Sequence, residues 1–376
     1  MRYIPPSQLY RSLYERLVAL MPDELDSRLT NMVYLMMGIF LSQSVQTGRL
    51  GSQIPLRVKR VSSVRRLERF LDNAAIGVRS WYGGGACELL SAASACGQVA
   101  LIIDSTKVSF GYQLLMVAVA YHGRALPIAW TWVSSRRGHS TQRKQLGLLA
   151  KVRKWLPAGV RVSLVGDTEF GHTRVLEQLD HWQWDYALRQ SGRNQVCPPG
   201  ASDWQPLASL TPRPGGWLWL PHSVLTRASA YPVRLFLFLA HGQTTPWLLA
   251  TNLDSPNAIL RLYRRRMWIE EMFGDLKRHG FDLESSHLRS FRRLNRLTLA
   301  VCLRYVWLVC EGTQALIQGH VSQVDRADRR DLSLFRIGFE LIQQALTWLE
   351  PFHVHWQAVF DPLLIPFFYP IPLSGS

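Results

Sequence analysis

Apolar residues recur at helical spacing through the first 95 residues. Val64, Leu67, Phe70 and Leu71 follow Ser62 and Ser63, two N-cap candidates, and predict one helix. Gly83-Gly84-Gly85 predicts a break soon after. From about residue 97 the pattern changes to short buried runs. Val99 to Ile103 is a strand that ends at Asp104. Tyr112 to Tyr121 and Arg124 to Val133 are two longer runs joined by His122-Gly123, a hairpin. Ser140 to Trp155 reads as a helix, with Leu146, Leu149 and Val152 on one side. Arg161 to Val165 is a strand ending at Gly166-Asp167; a helix from Thr173 to His181 and a strand from Tyr186 to Leu188 follow. Three strands, helix, strand, helix, strand is an α/β order with a mixed sheet.

Residues 191–252 are rich in Pro, Gly and Trp and hold strand-like runs at Trp217 to Leu220, Val233 to Leu239 and Trp247 to Ala250. They read as a β-rich insertion. Helices resume at Ser255-Pro256, an N-cap followed by proline in the first turn, and continue with breaks to Leu349. The Pro-rich tail from Asp361 reads as irregular. The expected organisation is a helical region at 1–95, an α/β core at 96–190, the insertion at 191–252, completion of the core at 253–290 and a helical region at 291–376.

The composition fits an ordered chain: 47% of the 376 residues are hydrophobic and 19% charged. The charge is lopsided, with 43 Lys and Arg against 27 Asp and Glu, a net +16. That favours a polyanion, either nucleic acid or an anionic membrane. The membrane reading is the weaker. Met32 to Leu41 is too short to span, and Leu297 to Cys310 is interrupted by Arg304. Met1 to Tyr10 lacks the apolar core of a signal peptide. The five cysteines form no C-x-x-C pair and suit a reducing cytosol rather than a disulfide framework or zinc site.

Asp104 and Asp167 each end a buried strand, where the ligands of α/β sheets gather. On neighbouring strands their carboxylates would face one another, a costly arrangement without a cation between them. Hard oxygen donors of this kind suit Mg²⁺ and phosphate chemistry. Taken singly, each Asp could equally start a turn or cap a helix.

The segment Tyr263 to Lys277 adds a third carboxylate. On one continuous helix, Tyr263, Arg266, Glu270 and Lys277 fall within a sector of about 60°. Leu262, Ile269, Phe273 and Leu276 form a neighbouring apolar stripe. A surface helix with an internal Arg266–Glu270 pair is the plainer alternative. Against it, ten basic and five acidic residues lie between Asn257 and Arg296, an excess that pairing within the helix cannot absorb.

The spacing Tyr-x2-Arg-x3-Glu-x6-Lys resembles the YREK signature of bacterial DDE transposases in the insertion-sequence family numbered four. The resemblance spans roughly residues 60–310 and implies a ribonuclease H-like core. It implies that Asp104, Asp167 and Glu270 are the catalytic residues and hold two Mg²⁺ ions, with Mn²⁺ able to substitute. It further implies that Tyr263, Arg266 and Lys277 grip DNA phosphate, that Trp247 stacks a flipped base, and that Arg189 also contacts DNA. The partners would be double-stranded DNA, as terminal inverted repeats and target, and a second copy of the chain, through the helices between Leu332 and Leu349. No membrane partner is expected, and the protein would work in the bacterial cytoplasm at the nucleoid.

Some residues depart from the pattern. Thr168-Glu169-Phe170-Gly171 stands where the family often has Arg-Gly, which makes Glu169 an extra acid, as an outer ligand or a cap. Glu271 points about 100° away from the shared stripe. His139 is expected at an exposed helix start. Three other functions compete: a ribonuclease H-like nuclease without strand transfer, a silent transposase-derived DNA-binding protein, and a glycoside hydrolase. The cationic stripe disfavours the last, and the intact acidic trio disfavours the silent binder.

Overall fold

In the computed structural model the sheet begins where the buried runs begin. The structure describes residues 6–134, 139–277, 279–326, 328–350, 355–361 and 363. They divide into two compact units: one of Gly97–Lys107 and Gly111–Glu271, the other of Met1–Cys96, Val108–Phe110 and Met272–Ser376. Most of the tail after Asp361, read as irregular, lies outside the described residues.

Five helices precede the sheet: α1 (Pro6–Leu20), α2 (Asp26–Ser42), α3 (Thr47–Gln53), α4 (Arg60–Asp72) and α5 (Val78–Ser94). Two expectations fail here. Helix α4 starts at Arg60, so Ser62 and Ser63 lie inside it. The extended backbone of Lys59 starts the helix instead, its carbonyl accepting from the Ser62 and Ser63 amides, and Ser63 is buried. The three consecutive glycines do not break the chain but sit within α5. Trp81, Tyr82, Ala86, Leu89 and Leu90 of that helix are all buried. Packing on this scale outweighs the helix propensity that glycine forfeits.

The α/β unit contains β1 (Gln98–Val108), β2 (Tyr112–Tyr121), β3 (Arg124–Ser134), α6 (Gln142–Arg153), β4 (Arg161–Gly166), α7 (Thr173–His181) and β5 (Asp185–Arg189). Then come β6 (Gln195–Cys197), β7 (Gln205–Pro206), β8 (Trp217–Leu225), β9 (Tyr231–Phe238), β10 (Trp247–Thr251) and α8 (Pro256–Arg264). The strand order is β3-β2-β1-β4-β5-β10-β9-β8-β6-β7. Strands β1, β4 and β5 run parallel, and the hairpin β2–β3 is antiparallel. This is the mixed sheet of a ribonuclease H-like core. The strands of 191–252 are not a separate layer: β10 pairs antiparallel with β5 and extends the same sheet. The core strands are apolar on both faces because residues on both faces are buried, as in Val99–Ile103.

Helix α9 (Met267–Leu276) passes from the α/β unit into the helical unit, where α10 (Phe291–Ile317) and α11 (Leu334–Trp348) follow. Phe40 of α2 meets Phe339 of α11, with ring centroids 4.9 Å apart. Arg296 of α10 is buried and donates to the Leu71 and Ile76 carbonyls; Arg293 pairs with Asp72. Part of the basic surplus around the Tyr263 segment thus ties α10 to the end of α4. Helix α10 is long and apolar enough to cross a membrane by length and composition, but its most apolar stretch is 83% buried within the fold.

Candidate active site

Register sets the two aspartates side by side. In the parallel ladder Ile103 pairs with Gly166, and the next residues are Asp104 and Asp167. Gly166 is required by the closeness of the strands: a Cβ there would come within 2.9 Å of Ile103 Cγ2 and 3.1 Å of Leu188 Cδ2. Gly171 is under a tighter constraint, because its Cβ would lie 2.2 Å from the Arg189 carbonyl oxygen. The turn after Asp167 therefore lies directly against the end of β5.

The third carboxylate arrives on a broken helix. Ser255 caps α8 by accepting from the Ala258 amide, with Pro256 in the first turn, as its sequence predicts. The continuous helix expected through Lys277 is interrupted at Arg265–Arg266. There i→i+3 bonds replace the α-helical ladder: Arg266 N–H donates to Tyr263 O at 2.9 Å and Trp268 N–H to Arg265 O at 3.0 Å. Glu270 lies in the first turn of α9, where a negative charge is favoured by the helix dipole. Arg266 fills the turn, with Nη1 2.6 Å from Glu270 Oε1 and 3.7 Å from Asp104 Oδ2. Glu271 points elsewhere, pairing with Arg124 at 3.1 Å.

Electrostatics record the convergence. Burial, reinforced by Glu270 and Asp167, pushes the Asp104 carboxyl up to about 7, against the pull of the Ser105 amide and Arg266. Burial works to lower the Arg266 pKa, but Tyr263, Glu270, Asp167 and Asp104 together raise it. Burial pushes the Tyr263 hydroxyl up to about 12. That hydroxyl has no hydrogen bond of good geometry, although it is close enough to Arg189 for the guanidinium to act on it.

Arg189 lies 3.7 Å from Asp167 and donates to the Pro246 carbonyl at 3.1 Å. The next residue, Trp247, is half-buried and meets Tyr263 edge-on at 4.9 Å. Of the eight singled-out residues, all but Trp247 and Lys277 (Asp104, Asp167, Glu270, Arg266, Tyr263 and Arg189) therefore belong to one electrostatic cluster. Lys277 is the exception to the expected stripe. It follows the end of α9, belongs to the helical unit, and pairs there with Glu284 at 2.9 Å.

Among the described residues, no three His, Cys, Asp or Glu side chains are gathered closely enough to enclose a metal ion. The donor chemistry still fits a hard divalent cation. Three carboxylates act on one another here, and the Arg266 guanidinium supplies positive charge between two of them.

Glu169 has a role that sequence reasoning left undecided. Its Oε1 accepts from the Ser140 amide at 2.7 Å and from the Ser140 hydroxyl at 2.5 Å. Its Oε2 accepts from the Ser105 hydroxyl at 2.8 Å, and Ser105 in turn accepts from Gln113 at 2.7 Å. The Ser105 amide donates to Asp104 at 2.7 Å. Glu169 thus braces the residue beside Asp104; its position two after a strand-end Asp was the one sequence signal. His139 is exposed, 3.7 Å from Glu169.

No curated protein sequence matches the chain. A solved structure described as a cryo-EM structure of piggyBac transposase synaptic complex with hairpin DNA is similar at 11% identity. The match covers 96% of this chain and 84% of that one, with a TM-score of 0.41. Residues 95–307, more than half of the chain, match the transposase DDE domain. Asp104, which lies inside β1 and not at the strand end that the sequence predicts, Asp167 just after β4, the carboxylate on α9 and their Arg266 partner all fall within that span, and the chain belongs to the DDE transposase family.

Proposed function

We propose that the chain is a YREK-type transposase of the insertion-sequence family numbered four. It cuts and rejoins DNA at the terminal inverted repeats of its own bacterial element. The observation that carries this reading is the pairing of Ile103 with Gly166, which sets Asp104 beside Asp167, together with Arg266 between Asp104 and Glu270.

Asp104, Asp167 and Glu270 would hold two Mg²⁺ ions, or Mn²⁺ in their place. Bound there, the ions supply Lewis acidity that activates water or a DNA 3′-hydroxyl and stabilises the leaving oxygen. Arg266 balances the carboxylates and offers its fork of N–H groups to a phosphate. Tyr263 presents its hydroxyl beside Arg189, and Lys277, which pairs with Glu284 in the helical unit, would offer a point charge to DNA phosphate from there. Arg189 holds Asp167 and the carbonyl that precedes Trp247, and contacts the DNA backbone. Trp247 stacks an extrahelical base in a hairpin route. Two copies would act across the two ends, at the nucleoid.

The test is incubation of the full chain with its element's end DNA and Mg²⁺, beside Asp104→Ala. Nicking followed by joining to target DNA is expected from the wild type alone. A mobility shift without any nick would make the chain a binding protein. Nicking without joining would make it a nuclease.

A further inference from the structure

The sheet face that carries Arg189 continues across three more strands as an aromatic face, buried at Phe236 and Leu249 and open to solvent along its outer row. Residues directly opposite in an antiparallel ladder share a face. Trp217 of β8, Phe238 of β9 and Trp247 of β10 form one row across three strands. Trp219, Phe236 and Leu249 form the next row, and Leu249 is opposite Arg189 on β5. The rings touch along these rows. Trp217 stacks on Phe236 with centroids 6.1 Å apart and planes 27° from parallel. Trp219 also meets Phe236, at 6.5 Å, and Phe238 meets Trp247 at 5.7 Å. Trp217 is 56% exposed, while Trp219, Phe238 and Trp247 are half-buried.

Charge narrows the choice of occupant. Residues 191–252 contain four arginines and a single acidic residue, Asp203. A second copy of the chain would bring the same positive surface against this one. Arg234 of this segment pairs with Asp254, which leaves Arg193, Arg213 and Arg227 against Asp203. Flat rings on a segment with that basic excess suit a polyanion that also offers planar groups. In a duplex the bases are already stacked on one another, whereas unpaired bases are free to stack on aromatic side chains.

We propose that this band binds an unpaired DNA strand leading outward from the candidate site, its bases stacked on Trp217 and Trp219. The inference rests on the reading of the chain as a DNA-acting enzyme. It extends past the single stacking role anticipated for Trp247. From β5 to β8 the sheet crosses three interstrand spacings, about 14 Å in all, so the band takes more than one nucleotide.

The experiment uses the full chain without divalent metal and a fluorescently labelled twelve-residue oligothymidylate. Anisotropy is measured against an abasic strand of the same length and charge. The thymidylate strand is expected to bind at least about fivefold tighter, the low end of what one base stack contributes. Trp217→Ala and Trp219→Ala should each remove at least that factor, and Trp217→Phe should retain most of it. Equal binding of the abasic strand, or undiminished binding by both alanine variants, would overturn the proposal. So would sedimentation showing that Trp217→Ala abolishes self-association, which would make the band a protein interface. No cleavage is involved, so strand binding by a chain that never nicks DNA would leave the band standing and remove the transposase reading.

Discussion

Ser105 and Glu169 lie 64 positions apart in the chain and are joined by a 2.8 Å hydrogen bond. The same carboxylate holds Ser140, so one side chain ties the second half of β1, the turn after β4 and the approach to α6. Glu169→Ala would leave the Ser140 amide and two hydroxyls without their acceptor, at a cost of about 2–3 kcal/mol. Equilibrium denaturation should show that loss, and DNA cleavage should fall with it. Stability equal to the wild type would mean that Ser105 is held by Gln113 alone.

Asp104 carries the opposite trade-off. It is largely desolvated near two further carboxylates, which disfavours its charge. Asp104→Asn should reduce metal-dependent cleavage by about 10³-fold or more, equivalent to roughly 4 kcal/mol of lost transition-state stabilisation. The melting temperature of the metal-free protein should not fall, because a buried charge has been removed. A clear drop would show that the carboxylate is structurally satisfied as it stands.

Gly171→Ala tests the close approach behind Asp167. The added methyl would collide with the Arg189 carbonyl, a backbone atom that cannot swing aside. A penalty of about 1–3 kcal/mol is expected, as for other overpacked sites. Because Arg189 is also displaced, single-turnover cleavage should slow more than Tm alone explains. Wild-type cleavage would show that this turn yields without disturbing Asp167.

The helical unit supplies a pH dependence. Glu311 is buried and accepts from Trp307, from the His355 amide and from the His355 ring at 2.9 Å. The bond to Glu311, stronger than the opposing effect of burial, raises the His355 pKa. A histidine raised on folding stabilises fully below its unfolded pKa of about 6.5 and loses that contribution as pH rises through the folded value. The difference in Tm between wild type and His355→Ala should therefore be largest near pH 5.5 and shrink toward pH 8.5. A constant difference would mean that the charge on the ring contributes nothing.

How much was legible beforehand follows from the range of the interactions. Asp104 and Asp167 could be found because each ends a run of buried strand residues, and parallel neighbours need only local pattern and topology. The cap at Ser255-Pro256 is equally local. The break at Arg265–Arg266 was not legible, since the heptad-like spacing of Tyr263, Arg266 and Glu270 is the same on one helix or two. What distinguishes them is the Arg266 contact with Asp104, some 160 residues earlier. Glu169 was ambiguous for the same reason, because its partners Ser105 and Ser140 come from other elements. The glycines of α5 misled because propensity weighs less than the packing of Trp81 and Tyr82.

The return of the chain from β5 through β10 has one more consequence. Arg189 and Leu249 are direct neighbours, and the Gln190 amide donates to the Leu248 carbonyl at 2.7 Å. The excursion that carries Trp217 and Trp219 thus departs and rejoins at one point of the ladder, like a loop of rope tied at a single cleat. Lengthening or shortening it need not pull on Arg189 or, through it, on Asp167. Relatives can therefore carry very different excursions on an unchanged carboxylate cluster, so that the outer aromatic face diverges while the centre stays fixed.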